Sequence, residues 1–388
     1  MKPPLNQTLQ PFGESIFTPI SRLAQETGAI NLGQGFPDTD GPDFIMEAAV
    51  EAMRTGKNQY APSHGVARLR KAIAAKTRRF YGLSFDADLE VTVFSGATEA
   101  IFSCIMALVE TGEEVVVFEP FYDSYPACTA MAGGVCRFVT LESPDFALDP
   151  ERLEEKMGPR TKIIILNSPM NPCGKVFTRE ELDVIATLAE KYDAYVLSDE
   201  VYEHLTFDGA EHVPIASLPG MRERTLTISS TGKTFSMTGW KVGWALASPP
   251  LSRAVRASHQ FVTYSTSTPL QHAMAVALEK ADEYYSTFRA DYLERRDLLL
   301  NVLEAAGFTV NTPRGTYFAL ADISAFGFED DRAFCESMIR TVGVAAIPPS
   351  YFYKNRRAGK NLARFAFCKK IEALREAGEC LKNLKRKC

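Results

Sequence analysis

Histidine is scarce in this chain. Five occur among 388 residues, and none falls in an HExxH pair or a facial-triad spacing, which argues against a built-in metal site. Cysteine occurs eight times but never as CxxC. Cys104, Cys128 and Cys368 lie in apolar runs, where a thiol packs as a small hydrophobe, so the thiols read as buried and free in a reducing compartment. An excess of charge is missing too. The 43 Lys and Arg face 48 Asp and Glu, a formal net charge of −5, which favours neither nucleic acid nor an anionic membrane surface. The basic run Lys382 to Lys387 reads as a helix C-terminus, where cations complement the dipole. Met1 to Asn6 lacks the apolar core of a signal peptide. The uncharged stretch Ala257 to Leu278 contains His259, Gln260, Pro269 and several hydroxyl residues, too polar for a bilayer span. These absences lead us to expect a soluble cytoplasmic protein with no metal, nucleic-acid or membrane partner.

What the chain does have is core-forming material: 46% hydrophobic and 11% aromatic residues. A chain of this length exceeds what one core usually holds, so two lobes are expected. Apolar periodicity predicts helices near Asp43 to Thr55 and Val66 to Tyr81. From Glu90 short apolar runs alternate with helical segments: Val91 to Phe94, Val115 to Phe118, Val135 to Leu141, Lys162 to Leu166, Ala194 to Leu197, Thr225 to Ile228 and Val242 to Ala247. Runs buried on both faces with helices between them, the first from Thr98 to Val109, predict a mainly parallel seven-stranded sheet sandwiched by helices. A long helix is expected from about Ala281 to Ala306. Beyond it, Gly315 to Leu320, a helix near Asp331 to Thr341, Val344 to Ile347, Leu362 to Cys368 and a last helix read as a smaller α+β lobe. The expected division is 1–40 as an N-terminal arm and part of the small domain, 41–280 as the large domain, and 281–388 as the small domain.

Ser229-Ser230-Thr231-Gly232-Lys233-Thr234 admits three chemistries. A P-loop needs glycine five positions before Gly232, but position 227 is Thr, so the phosphate cradle fails. Ser230-x-x-Lys233 matches the Ser–Lys pair of penicillin-binding enzymes, but their KTG element is absent. The third is a lysine that forms a Schiff base with pyridoxal phosphate; in isolation the segment reads equally as a surface lysine after a strand. Asp199 ends an apolar run, as does Asn167-Ser168-Pro169-Met170-Asn171-Pro172-Cys173-Gly174, and ligands bind at the carboxyl ends of such strands. Ser95-Gly96-Ala97-Thr98 joins a strand to a helix and offers N–H groups to a phosphate. Gly33-Gln34-Gly35 fails as a dinucleotide fingerprint, because position 38 is Asp and no strand–helix unit follows.

Taken together, Asn171-Pro172-x-Gly174, Asp199-Glu200-x-Tyr202, Ser230-x-x-Lys233 with Gly239-Trp240-Lys241-Val242-Gly243, and Arg364-Phe365-x-Phe367 resemble the class I/II aminotransferases, pyridoxal-phosphate enzymes of fold type I. Asn31 to Asp38 and Asn58-Gln59-Tyr60 resemble the branch of kynurenine/glutamine and methionine aminotransferases. Asn58 to Pro62, Tyr122 to Tyr125 and Ala345 to Pro348 tilt towards its methionine-type members.

The resemblance implies a role for each position. Lys233 is the Schiff-base lysine and proton shuttle, and Asp199 holds the pyridine nitrogen protonated. Asn171 and Tyr202 hydrogen-bond the ring's 3′ oxygen, and Tyr122 stacks on the ring. The phosphate meets Gly96, Ala97, Thr98, Ser230 and Lys241, with Tyr60 reaching it from a partner subunit of a homodimer. Arg364 clamps the substrate α-carboxylate, helped by Asn171 and the Gly35 backbone. Phe17, Tyr60, Tyr122, Tyr264 and Phe352 are aromatic candidates near the site. They point to methionine, glutamine, aromatic or kynurenine-type donors, whose amino group passes to a 2-oxo acid in a ping-pong cycle. A β-lyase acting on cysteine S-conjugates is the alternative on the same scaffold.

Overall fold

The computed structural model describes residues 6–280 and 282–384. The first residue of the expected long helix, Ala281, and the basic tail beyond Leu384 lie outside them. Seven strands form the main sheet: β1 (Val91–Ser95), β2 (Glu114–Glu119), β3 (Val135–Thr140), β4 (Thr161–Asn167), β5 (Tyr195–Asp199), β6 (Thr225–Ser230) and β7 (Val242–Leu246), in the spatial order β1-β7-β6-β5-β4-β2-β3. All pairings are parallel except those of β7, which runs antiparallel to both β1 and β6.

Alternation along the strands makes the sheet a two-sided layer. Val116, Phe118, Ile164 and Leu166 face a core shared with Leu182, Ile185 and Ala189 of helix Arg179–Lys191. Val115, Val117, Ile163 and Ile165 face the other way, onto Ile101, Cys104 and Ile105 of helix Gly96–Leu108. Each buried Val, Leu, Ile or Phe side chain among them contributes roughly 1.5–3 kcal/mol by leaving water. The structure is therefore α/β, with a mainly parallel sheet between helices.

Two further sheets are smaller. Phe318–Asp322 pairs antiparallel with Leu362–Ala366 and with Thr309–Val310, while Ile30–Asn31 runs parallel to Val344–Ala345. The N-terminal segment forms a helix, Phe17–Thr27, whose buried Ile20 and Ala24 share a core with Leu303, Phe334, Phe365 and Leu374. The expected long helix spans Asp282–Ala305. The stretch considered as a bilayer span is divided between two helices, Pro249–Val262 and Thr268–Lys280. Among the described residues no helix is long and apolar enough to cross a membrane, and the seven described cysteines are free.

The topology places the chemistry. Asn167 is in register with Asp199, Ser230 with Gly243, and Ser95 with Val242. Because β7 is reversed, its first residues lie at the edge where β1, β4, β5 and β6 end. Lys241 thereby reaches the same rim as Ser95, Asn167, Asp199 and Ser230.

Candidate active site

At that rim lies a cavity of about 150 Å³ lined by Gly96, Ala97, Thr98, Tyr122, Asn171, Asp199, Tyr202, Ser230, Lys233 and Lys241. Every cofactor residue expected from the sequence is present except Tyr60. A second cavity of about 210 Å³ shares Tyr122, Asn171, Tyr202 and Lys233 with the first and adds Gly35, Arg364, Phe17 and Phe318. Lys233 stands where the two meet.

One end of the first cavity is built for an anion. β1 runs directly into helix Gly96–Leu108, with Gly96 at φ +81°, and the leading N–H groups of a helix have no partners within it. A Cβ on Gly96 would sit 3.3 Å from Lys241 Cε, so glycine lets the lysine lie close along this turn. Lys241 itself adopts a left-handed backbone, φ +55°, a conformation that sites of function often retain at some cost. The Thr98 side chain hydrogen-bonds the Tyr122 hydroxyl, and burial pushes that phenol up to about 12.

The other end carries a buried carboxylate. Asp199 accepts a hydrogen bond from the Tyr125 hydroxyl at 2.7 Å, and burial raises its carboxyl to about 6. Asn167 Nδ2 donates to the Asp199 carbonyl at 2.9 Å, while Asn167 Oδ1 accepts the Asn171 N–H at 2.8 Å, locking two strand ends together. A buried anion without a cation beside it is costly, and a protonated heteroaromatic nitrogen would relieve that cost.

Lys233 follows β6 in a one-turn helix, Thr231–Thr234. Its Nζ donates to the Gly35 carbonyl at 3.3 Å, and the Tyr317 hydroxyl donates to the same oxygen at 2.6 Å. Burial lowers the ammonium to about 8, into the range of an amine that can act as nucleophile or base near neutral pH. Gly35 has no space for a side chain: a Cβ would stand 2.5 Å from the Phe318 ring.

Arg364, 1% exposed, donates from Nη1 to Asn171 Oδ1 at 3.1 Å and from Nη2 to the Gly33 carbonyl at 2.8 Å. Its Nε has no hydrogen-bond partner. Burial lowers the guanidinium to about 10, and its carbon lies 4.1 Å from the Phe318, 5.0 Å from the Phe17 and 5.3 Å from the Phe352 ring centroids, close enough for cation–π attraction. A buried guanidinium with N–H groups to spare is a ready partner for a carboxylate.

Two expected residues lie elsewhere. Tyr60 is 84% exposed and meets Tyr264 edge-on, with ring centroids 5.6 Å apart, and neither lines the two cavities. Tyr264, like Tyr60, lies on the surface of this subunit, outside its own two cavities. Conversely, Tyr125, Asn167, Gly33, Tyr317 and Phe318 contribute without having been given roles from sequence. Tyr125 had one signal, its place one helical turn after Tyr122.

Residues 27–379 match the family model for aminotransferase class I and II. The chain belongs to this family. These aminotransferases depend on pyridoxal phosphate, and the donor set here fits it: N–H groups and a lysine for the phosphate, a carboxylate for the ring nitrogen, an amine for the aldehyde. The aminotransferase is 45% identical over 380 residues to a probable N-succinyldiaminopimelate aminotransferase of Mycobacterium tuberculosis, covering 95% of this chain and 96% of the relative. It is 42% identical to the methionine aminotransferase of Escherichia coli, covering 97% of each chain. It is 39% identical to the kynurenine–oxoglutarate transaminase of Dictyostelium discoideum, covering 97% of this chain and 95% of the relative. The solved structure of the N-succinyldiaminopimelate aminotransferase from M. tuberculosis superposes with TM-score 0.96 over 98% of this chain and all of that one. The E. coli protein whose structure identified a methionine aminotransferase function superposes with TM-score 0.95, again over 98% of this chain and all of that one. The aminotransferase therefore has the fold of type I pyridoxal-phosphate enzymes.

Proposed function

We propose that this aminotransferase moves the amino group of an L-amino acid with an apolar or aromatic side chain, of methionine, glutamine or kynurenine type, to a 2-oxo acid in a ping-pong cycle, with Lys233 as the cofactor-linked lysine. The observation that carries this reading is the position of Lys233 between two joined cavities, one ending in Asp199 and the other in Arg364. When bound, pyridoxal phosphate supplies an aldehyde that condenses with amines and a ring that takes up electrons from the substrate α-carbon. Gly96, Ala97, Thr98, Ser230 and Lys241 would hold the phosphate; Asp199 would keep the ring nitrogen protonated; Asn171 and Tyr202 would bind the 3′ oxygen; Tyr122 would pack against the ring. The Lys233 amine would take up a proton from the substrate α-carbon. Arg364 and the Gly35 segment hold the α-carboxylate.

The aromatic walls Phe17, Phe36 and Phe318 of the second cavity support an apolar side chain. Relatives named for methionine and kynurenine are 42% and 39% identical to this chain, which fits a tolerant apolar pocket: apolar discrimination amounts to only about 1–3 kcal/mol per methylene. The same reading makes the enzyme a cytoplasmic homodimer in which Tyr60 of the partner subunit completes the phosphate site. It divides the chain at 41 and 281, supported by the core that Ile20 and Ala24 share with Phe334 and Phe365.

Borohydride reduction of the cofactor-loaded enzyme followed by peptide mapping should label Lys233, and label on Lys241 instead would overturn the assignment. A panel of amino acids with a fixed 2-oxo acid then ranks the donors. Release of pyruvate and ammonia from a cysteine S-conjugate, without need of an acceptor, would instead make the enzyme a β-lyase.

A further inference from the structure

His259 is fully buried in helix Pro249–Val262, outside both cavities. Its Nδ1 lies 2.6 Å from Glu99 Oε1 and its Nε2 lies 2.8 Å from the Ser63 carbonyl oxygen. The Phe94 ring packs edge-on against the imidazole at 4.7 Å. A carbonyl can only accept, so Nε2 carries a hydrogen. One proton then lies between Nδ1 and Glu99, and ring and carboxyl together are neutral. Glu99 Oε2 also accepts the Ser95 N–H at 2.5 Å, and the Thr263 side chain hydrogen-bonds the same carboxylate. Burial pushes the Glu99 carboxyl up, but these hydrogen bonds outweigh it and hold it below the usual carboxylate range.

These contacts join three segments. Glu99 is in the first turn of helix Gly96–Leu108, whose leading N–H groups face the first cavity. Ser63 follows Tyr60 in the loop before helix Ala67–Tyr81. The end of His259's own helix leads to Tyr264, which packs on Tyr60. A carboxylate in this first turn has a physical consequence. A negative charge there repels a phosphate drawn to the same helix end, and a proton shared with His259 offsets it. By taking the Ser95 N–H, Glu99 also leaves the N–H groups of Gly96, Ala97 and Thr98 to a ligand.

We propose that His259 is a positioning residue for the cofactor: with Glu99 it fixes and neutralises the helix turn that receives the phosphate, and through Ser63 it ties that turn to the loop bearing Tyr60. The proposal rests on the reading that residues 96–98 hold the phosphate.

The test uses the holoenzyme and its His259→Leu, Glu99→Ala, Glu99→Gln and Glu99→Ala/His259→Leu variants. It reads the rate of cofactor release and the ³¹P resonance of the bound phosphate, with thermal unfolding measured alongside. Losing one charge-assisted hydrogen bond should speed release about tenfold or more in His259→Leu and Glu99→Ala and shift the ³¹P resonance. Glu99→Gln keeps the geometry, since its carbonyl accepts the Ser95 N–H while its amide donates to a neutral ring, so release should stay within about threefold of wild type. The double variant should release cofactor no faster than the worse single one, because both remove the same link. Wild-type release and ³¹P shift in His259→Leu, strictly additive effects, or Glu99→Gln as damaging as Glu99→Ala would each overturn the proposal. If His259→Leu does not fold, the two Glu99 variants decide. A wild-type protein showing no bound ³¹P signal would instead count against the phosphate site itself.

Discussion

The Tyr125 hydroxyl donates a 2.7 Å hydrogen bond to Asp199 Oδ2, and both residues are buried. The bond favours the ionised carboxylate against the burial that raises Asp199 to about 6. Tyr125→Phe should therefore lift the carboxyl further and weaken its hold on a protonated ring nitrogen. We expect kcat/KM to fall roughly 10- to 100-fold, the range for a hydrogen bond to a charged group. Asp199→Asn removes the charge altogether and should cost on the order of 10³-fold. Near-wild-type kcat/KM in Tyr125→Phe would show that the bond does not act on the chemistry.

The same carboxyl has a consequence for the cofactor-free protein. Its pKa is raised from 3.8 to about 6 on folding, so between those values the folded state binds more protons than the unfolded state. The stability of wild type relative to Asp199→Asn should then fall as pH rises from about 4 to 6 and level off above. Paired unfolding curves of the two cofactor-free proteins across this range check it; a constant difference would mean that Asp199 ionises in the folded protein as it does in a free chain.

Much of this architecture is legible in sequence because strand ends are chemically abrupt. Val-, Ile- and Leu-rich runs stop at Ser95, Asn167, Asp199 and Ser230, and small or polar residues at the end of a buried strand have to face a ligand, water or a helix cap. The reversal of β7 is not legible. Val242–Leu246 is buried throughout, as a central parallel strand would be, so its composition carries no directional signal. Tyr125 was legible as an aromatic but not as a partner of Asp199, because the contact depends on where helix Ser124–Met131 docks.

Lys233 should reveal its lowered pKa in cofactor uptake. Only the neutral amine attacks an aldehyde, and burial brings the ammonium down from 10.5 to about 8. The rate at which cofactor-free enzyme joins pyridoxal phosphate should climb with pH and level off just above 8, as followed by absorbance after mixing. A rate still climbing towards pH 10 would mean an exposed, ordinary lysine.

Tyr60 and Tyr264 form an exposed aromatic pair, the expected appearance of a surface waiting for a second copy. Subunits carrying Tyr60→Phe and subunits carrying Lys233→Ala, mixed and reassociated, should give activity above the average of the two parents. In a hybrid dimer the Lys233→Ala chain supplies a native Tyr60 to its partner's intact lysine. Activity equal to that average, or full activity from a monomer, would place Tyr60 outside the partner's site.

Arg364 should set the requirement for an α-carboxylate. Asn171 Oδ1 and the Gly33 carbonyl fix the plane of its guanidinium, and three aromatic rings surround it, so its remaining N–H groups are oriented before substrate arrives. On the proposed reading, that orientation would turn the α-carbon–hydrogen bond towards Lys233. Arg364→Lys keeps a charge but loses the planar fork, and one ammonium cannot satisfy both Asn171 and Gly33 while gripping two carboxylate oxygens. We expect KM to rise and kcat to fall together, by about 10- to 100-fold in kcat/KM, through lost contact and lost alignment. The loss should be similar for methionine, glutamine and aromatic donors, because it lies in a group they share. If steady-state kinetics instead showed a loss confined to acidic donors, Arg364 would be reading the side chain, and the α-carboxylate would have to be held elsewhere in the second cavity.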